Sequence, residues 1–310
     1  MRTLVMGAGA VGAYFGGLLA RAGASVVLVA RGDNLAALRE RGLHLVMGGR
    51  TERIHVHAAA DPAEAGVCDL VMVCVKSYDT AAAAAALRPT VGPHTIVLSL
   101  QNGIENEGLL AAALRLPALL GGLTHIGAEL VEPGVVRHES GGRIIFGERD
   151  GRRSDRVERL AVFLAGARVA HHVSRHIAVM LWDKLAWNAA FNATTAITRC
   201  TVGALLDRPD GRALVRAAMQ EVVAVANASD VALDAARVDP EIERSAAELG
   251  QLRTSMLQDR ARGRRLEYDA LNGAVLRAAA RAGVPAPVNR VLYGLLAALG
   301  SPPGPPSPVA

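Results

Sequence analysis

The sequence predicts an α/β protein in two parts, a doubly wound sheet followed by an all-α domain. Three observations lead there. A glycine-rich turn, Gly7-Ala8-Gly9-Ala10-Val11-Gly12, directly follows the apolar run Thr3-Leu4-Val5-Met6. Strand and helix signals then alternate as far as about residue 146. Beyond residue 177 almost every signal has helical periodicity.

Residues 3–6 read as a strand and residues 11–22 as a helix, with Gly23 as its stop. A lone GxGxxG is a weak motif. Closing a strand and opening a helix is the context in which it binds a dinucleotide. Gly7 permits the tight turn, Gly9 lets backbone approach a pyrophosphate, and Gly12 lets the helix pack close to the strand. The second strand, residues 25–30, ends at Arg31. An Asp or Glu at this distance from the glycines would hold a ribose 2′-hydroxyl. A planar guanidinium suits a 2′-phosphate and favours NADP(H) over NAD(H).

Residues 34–41 read as a helix, and residues 53–57 alternate, with Ile54 and Val56 on one face. The run 70–75 is continuously apolar, as in strands buried on both faces, and 95–100 reads as another buried strand. Between them lies an alanine-rich helix at 80–87, and a helix at 109–114 follows. Short strand-like runs at 119–125, 135–138 and 143–146 have helix-free connections and read as an antiparallel extension of the sheet. Residues 177–197, 211–229, 246–259, 267–282 and 288–299 are helix candidates. The domain boundary falls between 166 and 175, giving domains 1–170 and 171–300. Residues 301–310, with five prolines, read as a disordered tail.

Composition narrows the class. The chain has 310 residues, 51% hydrophobic and 20% charged, enough for a large core. Aromatic residues make up only 3%, so that core is built from Ala, Leu and Val. The net charge of +5 is modest, and the arginine cluster at 260, 262, 264 and 265 has no interleaved aromatics, which argues against nucleic-acid binding. No apolar run is long enough to span a membrane. No signal peptide is recognised. Cys68, Cys74 and Cys200 lack metal spacing and suggest reduced packing thiols in a cytoplasmic protein. His171, His172 and His176 offer a pair but no third ligand, so no metal is expected.

The helix at 177–197 is the second informative feature. Lys184, Asn188 and Asn192 interrupt an apolar segment at i, i+4 and i+8, on one face. Polar groups in register there need water or a polar ligand. Ser255 with Gln258 has the form of a capping box, compatible with a cap, a ligand role, or both. By position alone, Glu267 is a first-turn carboxylate.

The glycine motif with Arg31, Lys76, Gln101-Asn102-Gly103, the segment LWDKLAWNAAFNATTAIT, SMLQD and LEYDALNGAVL together resemble the ketopantoate reductase (2-dehydropantoate 2-reductase) family, in order over residues 2–295. The resemblance implies an N-terminal Rossmann-type domain, a helical C-terminal domain, a cleft between them as the active site, and NADPH-dependent reduction of a 2-oxo acid in pantothenate synthesis. By motif, Lys184 corresponds to the proton donor. Asn188 and Asn192 contact the substrate, Ser255 holds its carboxylate, and Glu267 touches the substrate hydroxyl or the cofactor ribose. Lys76 and Asn102 line the cofactor, with residues 7–12, and Ala128 touches it through its backbone. Two positions depart from the family pattern: Val202 and Leu252 stand where substrate-side asparagines are expected. The expected partner is a small 2-oxo acid, and a homodimer is left open. Two alternatives remain: a reductase of a different 2-oxo acid, or an NADPH sensor without turnover.

Overall fold

A computed structural model describes residues 1–117 and 119–300. The chain divides into two compact units, the first running from Met1 to Ala178 and the second beginning at Val179. The Pro-rich tail lies outside the described residues.

The first unit contains two sheets. One is all parallel: β1 (Thr3–Met6), β2 (Val26–Val29), β5 (His57–Ala59), β6 (Leu70–Val73) and β7 (Ile96–Ser99), in the order β5-β2-β1-β6-β7. Helices α1 (Ala10–Arg21), α2 (Gly32–Arg41), α3 (Thr80–Leu87) and α4 (Asn106–Leu114) fall between strands or, for α4, after the last one. Val26–Val29, Leu70–Val73 and Ile96–Ser99 are buried throughout, which explains why they are apolar but for Ser99. After β5 the chain crosses β2 and β1 to lay down β6. The order therefore reverses between β1 and β6, the point where such sheets bind ligands at their carboxyl ends.

The second sheet corrects the expectation of an antiparallel extension. Strands β3 (Leu43–Met47), β4 (Arg50–Ile54), β8 (Gly121–Glu132), β9 (Val135–Gly147) and β10 (His171–Val173) form a separate sheet, ordered β10-β9-β3-β4 with β8 on β9. The three short runs read from sequence belong to two long strands. Gly134, Gly141 and Gly142 take positive φ, and three register shifts break the β8–β9 ladder, so the apolar pattern is interrupted although pairing continues. The hairpin β3–β4 turns at Gly48 and Gly49, both at positive φ. Helix α5 (Asp155–Gly166), unassigned by the sequence reading, is capped by Ser154, whose Oγ accepts from the Val157 N–H. Strand β10 pairs with β9, so residues 171–178 belong with the first unit, beyond the boundary read from sequence.

The second unit is helical: α6 (Ile177–Trp187, which opens at the unit boundary), α7 (Ala193–Thr198), α8 (Val202–Leu206), α9 (Pro209–Asn227), α10 (Val238–Glu248), α11 (Ser255–Ala261), α12 (Ala274–Ala282) and α13 (Pro287–Gly300). Two π-helical turns, Asn188–Asn192 and Asp269–Gly273, interrupt the α periodicity. The single helix expected over 246–259 is broken. Gly250 accepts from the Gly203 N–H at 2.8 Å, and a Cβ on Gly203 would meet the Gly250 carbonyl, so the chain leaves the helix to make this approach.

Candidate active site

In the first unit the predicted residues gather at the carboxyl ends of the parallel strands. The glycine turn leaves β1, Arg31 follows β2, Lys76 follows β6, and Asn102 follows β7. Ala128 is the exception: it lies in β8 of the second sheet, beside a register shift at Gly127.

The glycine turn fits a pyrophosphate. Gly7 takes φ +104°, and a Cβ there would meet the Val75 backbone nitrogen at 2.8 Å. A Cβ on Gly12 would collide with the Gly7 carbonyl oxygen. A Cβ on Gly9 would meet nothing within 4 Å, so the space in front of it is open. Gly9 is also the N-cap of α1 and has no side chain to cover the first-turn N–H groups. Open space over uncapped donors at a helix N-terminus is an anion cradle.

Several side chains to which the sequence assigned no role hold these loops. Asn34 Nδ2 donates to the Ala8 carbonyl at 2.8 Å, and its Oδ1 accepts from the Gly134 N–H at 2.8 Å. Gln101 Nε2 donates to the Val75 carbonyl at 3.0 Å and to Thr80 Oγ1 at 2.8 Å. Thr80 in turn donates to Asn106 Oδ1, whose own Nδ2 donates to the Asn102 carbonyl at 2.8 Å. Gln101, Thr80 and Asn106 are all buried. A satisfied buried network of this kind rigidifies what it touches, here the loops carrying Lys76 and Asn102. Arg31 is exposed and donates from Nη2 to Asp79 Oδ2 at 3.0 Å.

The second cluster lies wholly in the helical unit. Asn188 and Asn192 are 6% and 2% exposed, so bulk water does not satisfy them. They bound the first π-helical turn. In a regular α-helix each i, i+4 step drifts by about 40°. The wider π turn counters that drift and keeps Asn192 on the face of Lys184 and Asn188. Burial lowers the Lys184 ammonium to about 8, against the opposing pull of the Glu267 carboxylate. Glu267 is itself buried, so it is not an exposed first-turn carboxylate. It lies two residues before the second π turn.

The two π turns are joined. Asn272, fully buried in the second, donates from Nδ2 to the Ala189 carbonyl of the first at 2.9 Å and to Asn289 Oδ1 at 3.0 Å. Asn289 donates to Glu221, which also accepts the Val288 and Asn289 N–H groups that open α13. Asn272 thereby pins the backbone between Asn188 and Asn192. The only trace in the sequence is its place in the Asn272-Gly273 pair of the motif.

Ser255 is exposed at the start of α11, but it is not the cap. Thr254 is the N-cap, its Oγ1 accepting from the Leu257 N–H, and Gln258 Nε2 donates to the Arg253 carbonyl. The capping box is therefore absent: the cap falls one residue earlier because Thr254 Oγ1 also bonds Thr195 Oγ1 on α7 at 2.7 Å. Arg260 donates to the Ala196 and Ile197 carbonyls near the end of α7. These contacts tie the Ser255 segment to the helix that continues from Lys184, Asn188 and Asn192.

Cys68 is buried, and burial pushes the Cys74 thiol up to about 12, so neither favours the reactive thiolate. Among the described residues no group of three His, Cys, Asp or Glu could hold a metal ion, and no helix is long and apolar enough to cross a membrane.

Comparison with known proteins matches residues 3–151 to the family "Ketopantoate reductase PanE/ApbA" and residues 176–300 to "Ketopantoate reductase PanE/ApbA C terminal". A 2-dehydropantoate 2-reductase of Halobacterium salinarum is 37% identical over 299 residues, covering 96% of this chain and 98% of that protein. A PanE/ApbA family ketopantoate reductase from Ralstonia eutropha superimposes with a TM-score of 0.89 at 38% identity, covering 97% and 98% of the two chains. A 2-dehydropantoate 2-reductase from Geobacter metallireducens does so with a TM-score of 0.90 at 35% identity, covering 96% and 99%.

Proposed function

Since the chain belongs to the ketopantoate reductase PanE/ApbA family, we propose that it reduces 2-dehydropantoate (ketopantoate) to pantoate with NADPH, a step of pantothenate synthesis. The chain is an oxidoreductase acting on CH–OH groups. The observation that carries the finer reading is Lys184, an ammonium brought to about 8 on a face shared with two buried asparagines.

The residues of the first unit fit a nicotinamide dinucleotide. The glycine turn offers uncapped N–H groups to its pyrophosphate, Arg31 stands where a 2′-phosphate is met, and Lys76 and Asn102 stand at the carboxyl ends of the neighbouring strands. When bound, the reduced nicotinamide supplies a hydride for the oxo carbon. Lys184 Nζ donates a hydrogen bond to the oxo oxygen and then gives it a proton as negative charge develops there. A donor with a pKa of about 8 is still largely protonated at neutral pH and yields its proton more readily than an ordinary lysine. The Glu267 carboxylate limits the fall in that pKa and so keeps the acid form populated. Asn188 and Asn192 orient the acid without adding charge, and the Ser255 hydroxyl receives its carboxylate.

One observation favours a second substrate. Val202 and Leu252, the two departures from the family pattern, are neighbours: the Val202 N–H donates to the Leu252 carbonyl at 3.2 Å. Two polar groups are thus lost from one place, which suits a more apolar 2-oxo acid. The test follows NADPH oxidation by absorbance with ketopantoate beside a panel of branched 2-oxo acids. Fastest turnover of ketopantoate supports the first reading, and preference for another acid replaces it with the second. NADPH binding without turnover of any acid would leave a cofactor sensor.

A further inference from the structure

Strand β1 lies between β2 and β6 in the parallel sheet. Arg31 follows β2, and Asp79 follows β6 by six residues, at the N-cap of α3. Their ion pair at 3.0 Å therefore links the two strands that flank the glycine turn. Both side chains reach solvent, at 83% and 36% exposure. Asp79 makes no capping bond to α3, so its carboxylate has no helix-capping role there. We propose that Asp79 is a cofactor-selectivity residue, holding the guanidinium that a 2′-phosphate would take and offering an acceptor to a 2′-hydroxyl.

The inference rests on the reading of Arg31 as the 2′-phosphate partner. A guanidinium presents a limited fork of donors, and one arm is already committed to Asp79. A 2′-phosphate must displace that carboxylate and then sit beside it as a like charge. A 2′-hydroxyl meets no such opposition, since it is neutral and can donate to the carboxylate. Discrimination against NADH is then weaker than Arg31 alone would impose. The repulsive element falls on the phosphorylated cofactor, so selectivity is set by the pair.

The test measures dissociation constants for NADPH and NADH by fluorescence titration on the wild type, Asp79→Asn and Arg31→Ala, at low and high salt. Asp79→Asn keeps the shape of the side chain and removes its charge. It should tighten NADPH about fivefold, at the upper end for exposed charge pairs, and weaken NADH about twofold. The NADPH preference then grows by about tenfold, and by less at high salt. Asp79→Ser should move the preference in the same direction. If Arg31→Ala abolishes the NADPH preference while both Asp79 variants leave it unchanged, the assignment of Asp79 is overturned and that of Arg31 stands. If Arg31→Ala leaves the preference unchanged, both fall.

Discussion

Replacing Lys184 with methionine should make the protein worse as an enzyme and more stable as a fold. Burial lowers the ammonium from 10.5 to about 8. At about 1.4 kcal/mol per unit, keeping it charged at pH 7 costs the native state about 3 kcal/mol. Methionine has a similar length and no charge, but it leaves the buried Glu267 without the cation opposite. The net gain should be about 1–3 kcal/mol. The sign over pH follows from the lowered value. Between about 8 and 10.5 the unfolded chain binds more protons than the folded one, so wild-type stability rises with pH there. Below 8 the full cost is present. The advantage of Lys184→Met should therefore be largest at pH 7 and largely gone by pH 10.5. Both tryptophans, Trp182 and Trp187, lie on α6, so their fluorescence in a urea titration reports the helical unit. Turnover, followed as NADPH oxidation, should fall about 10²- to 10⁴-fold with NADPH affinity retained. Wild-type turnover should fall as pH rises through 8, a limb absent from the residual activity of the variant. Lys184→Gln repeats the test with a polar group. A variant less stable than wild type at pH 7, with a difference that does not change up to pH 10.5, would refute the desolvated ammonium. Near-normal turnover would remove the catalytic role.

Arg31→Asp should weaken NADPH far more than NADH, measured as the ratio of dissociation constants, because a repelling charge replaces the guanidinium proposed to meet the 2′-phosphate. Asn192→Ala should raise KM for the oxo acid and leave NADPH affinity nearly unchanged; the reverse pattern would show that its face has been misassigned. Gly12→Ala should abolish NADPH binding, because its Cβ meets the Gly7 carbonyl and Val5 Cγ1 at 2.9 Å, and should cost about 1–3 kcal/mol in a thermal melt. Asn272→Ala should cost about 2 kcal/mol, since the buried Ala189 carbonyl and Asn289 Oδ1 both lose a donor. It should also raise KM through the displaced asparagines.

The parts determined by sequence alone are those where local chemistry and final position coincide. A glycine turn after an apolar strand has one compatible geometry, and strands β2 and β6 are unbroken apolar runs because both of their faces are buried. Lys184, Asn188 and Asn192 were legible because side chains four residues apart share a face whatever packs against it. Tertiary structure decided where partners distant in the chain overrule local preference. Thr254 rather than Ser255 caps α11 because Thr195, 59 residues away, bonds its hydroxyl. The helix over 246–259 breaks because Gly250 must meet Gly203. The two π turns leave no periodic signature, being held by Asn272 across 83 residues. The lowered pKa of Lys184 likewise depends on burial and on Glu267, and the commitment of Arg31 depends on Asp79. Spacing along a chain specifies which groups can share a face; only the folded neighbourhood sets how strongly each is charged and which partner it already holds.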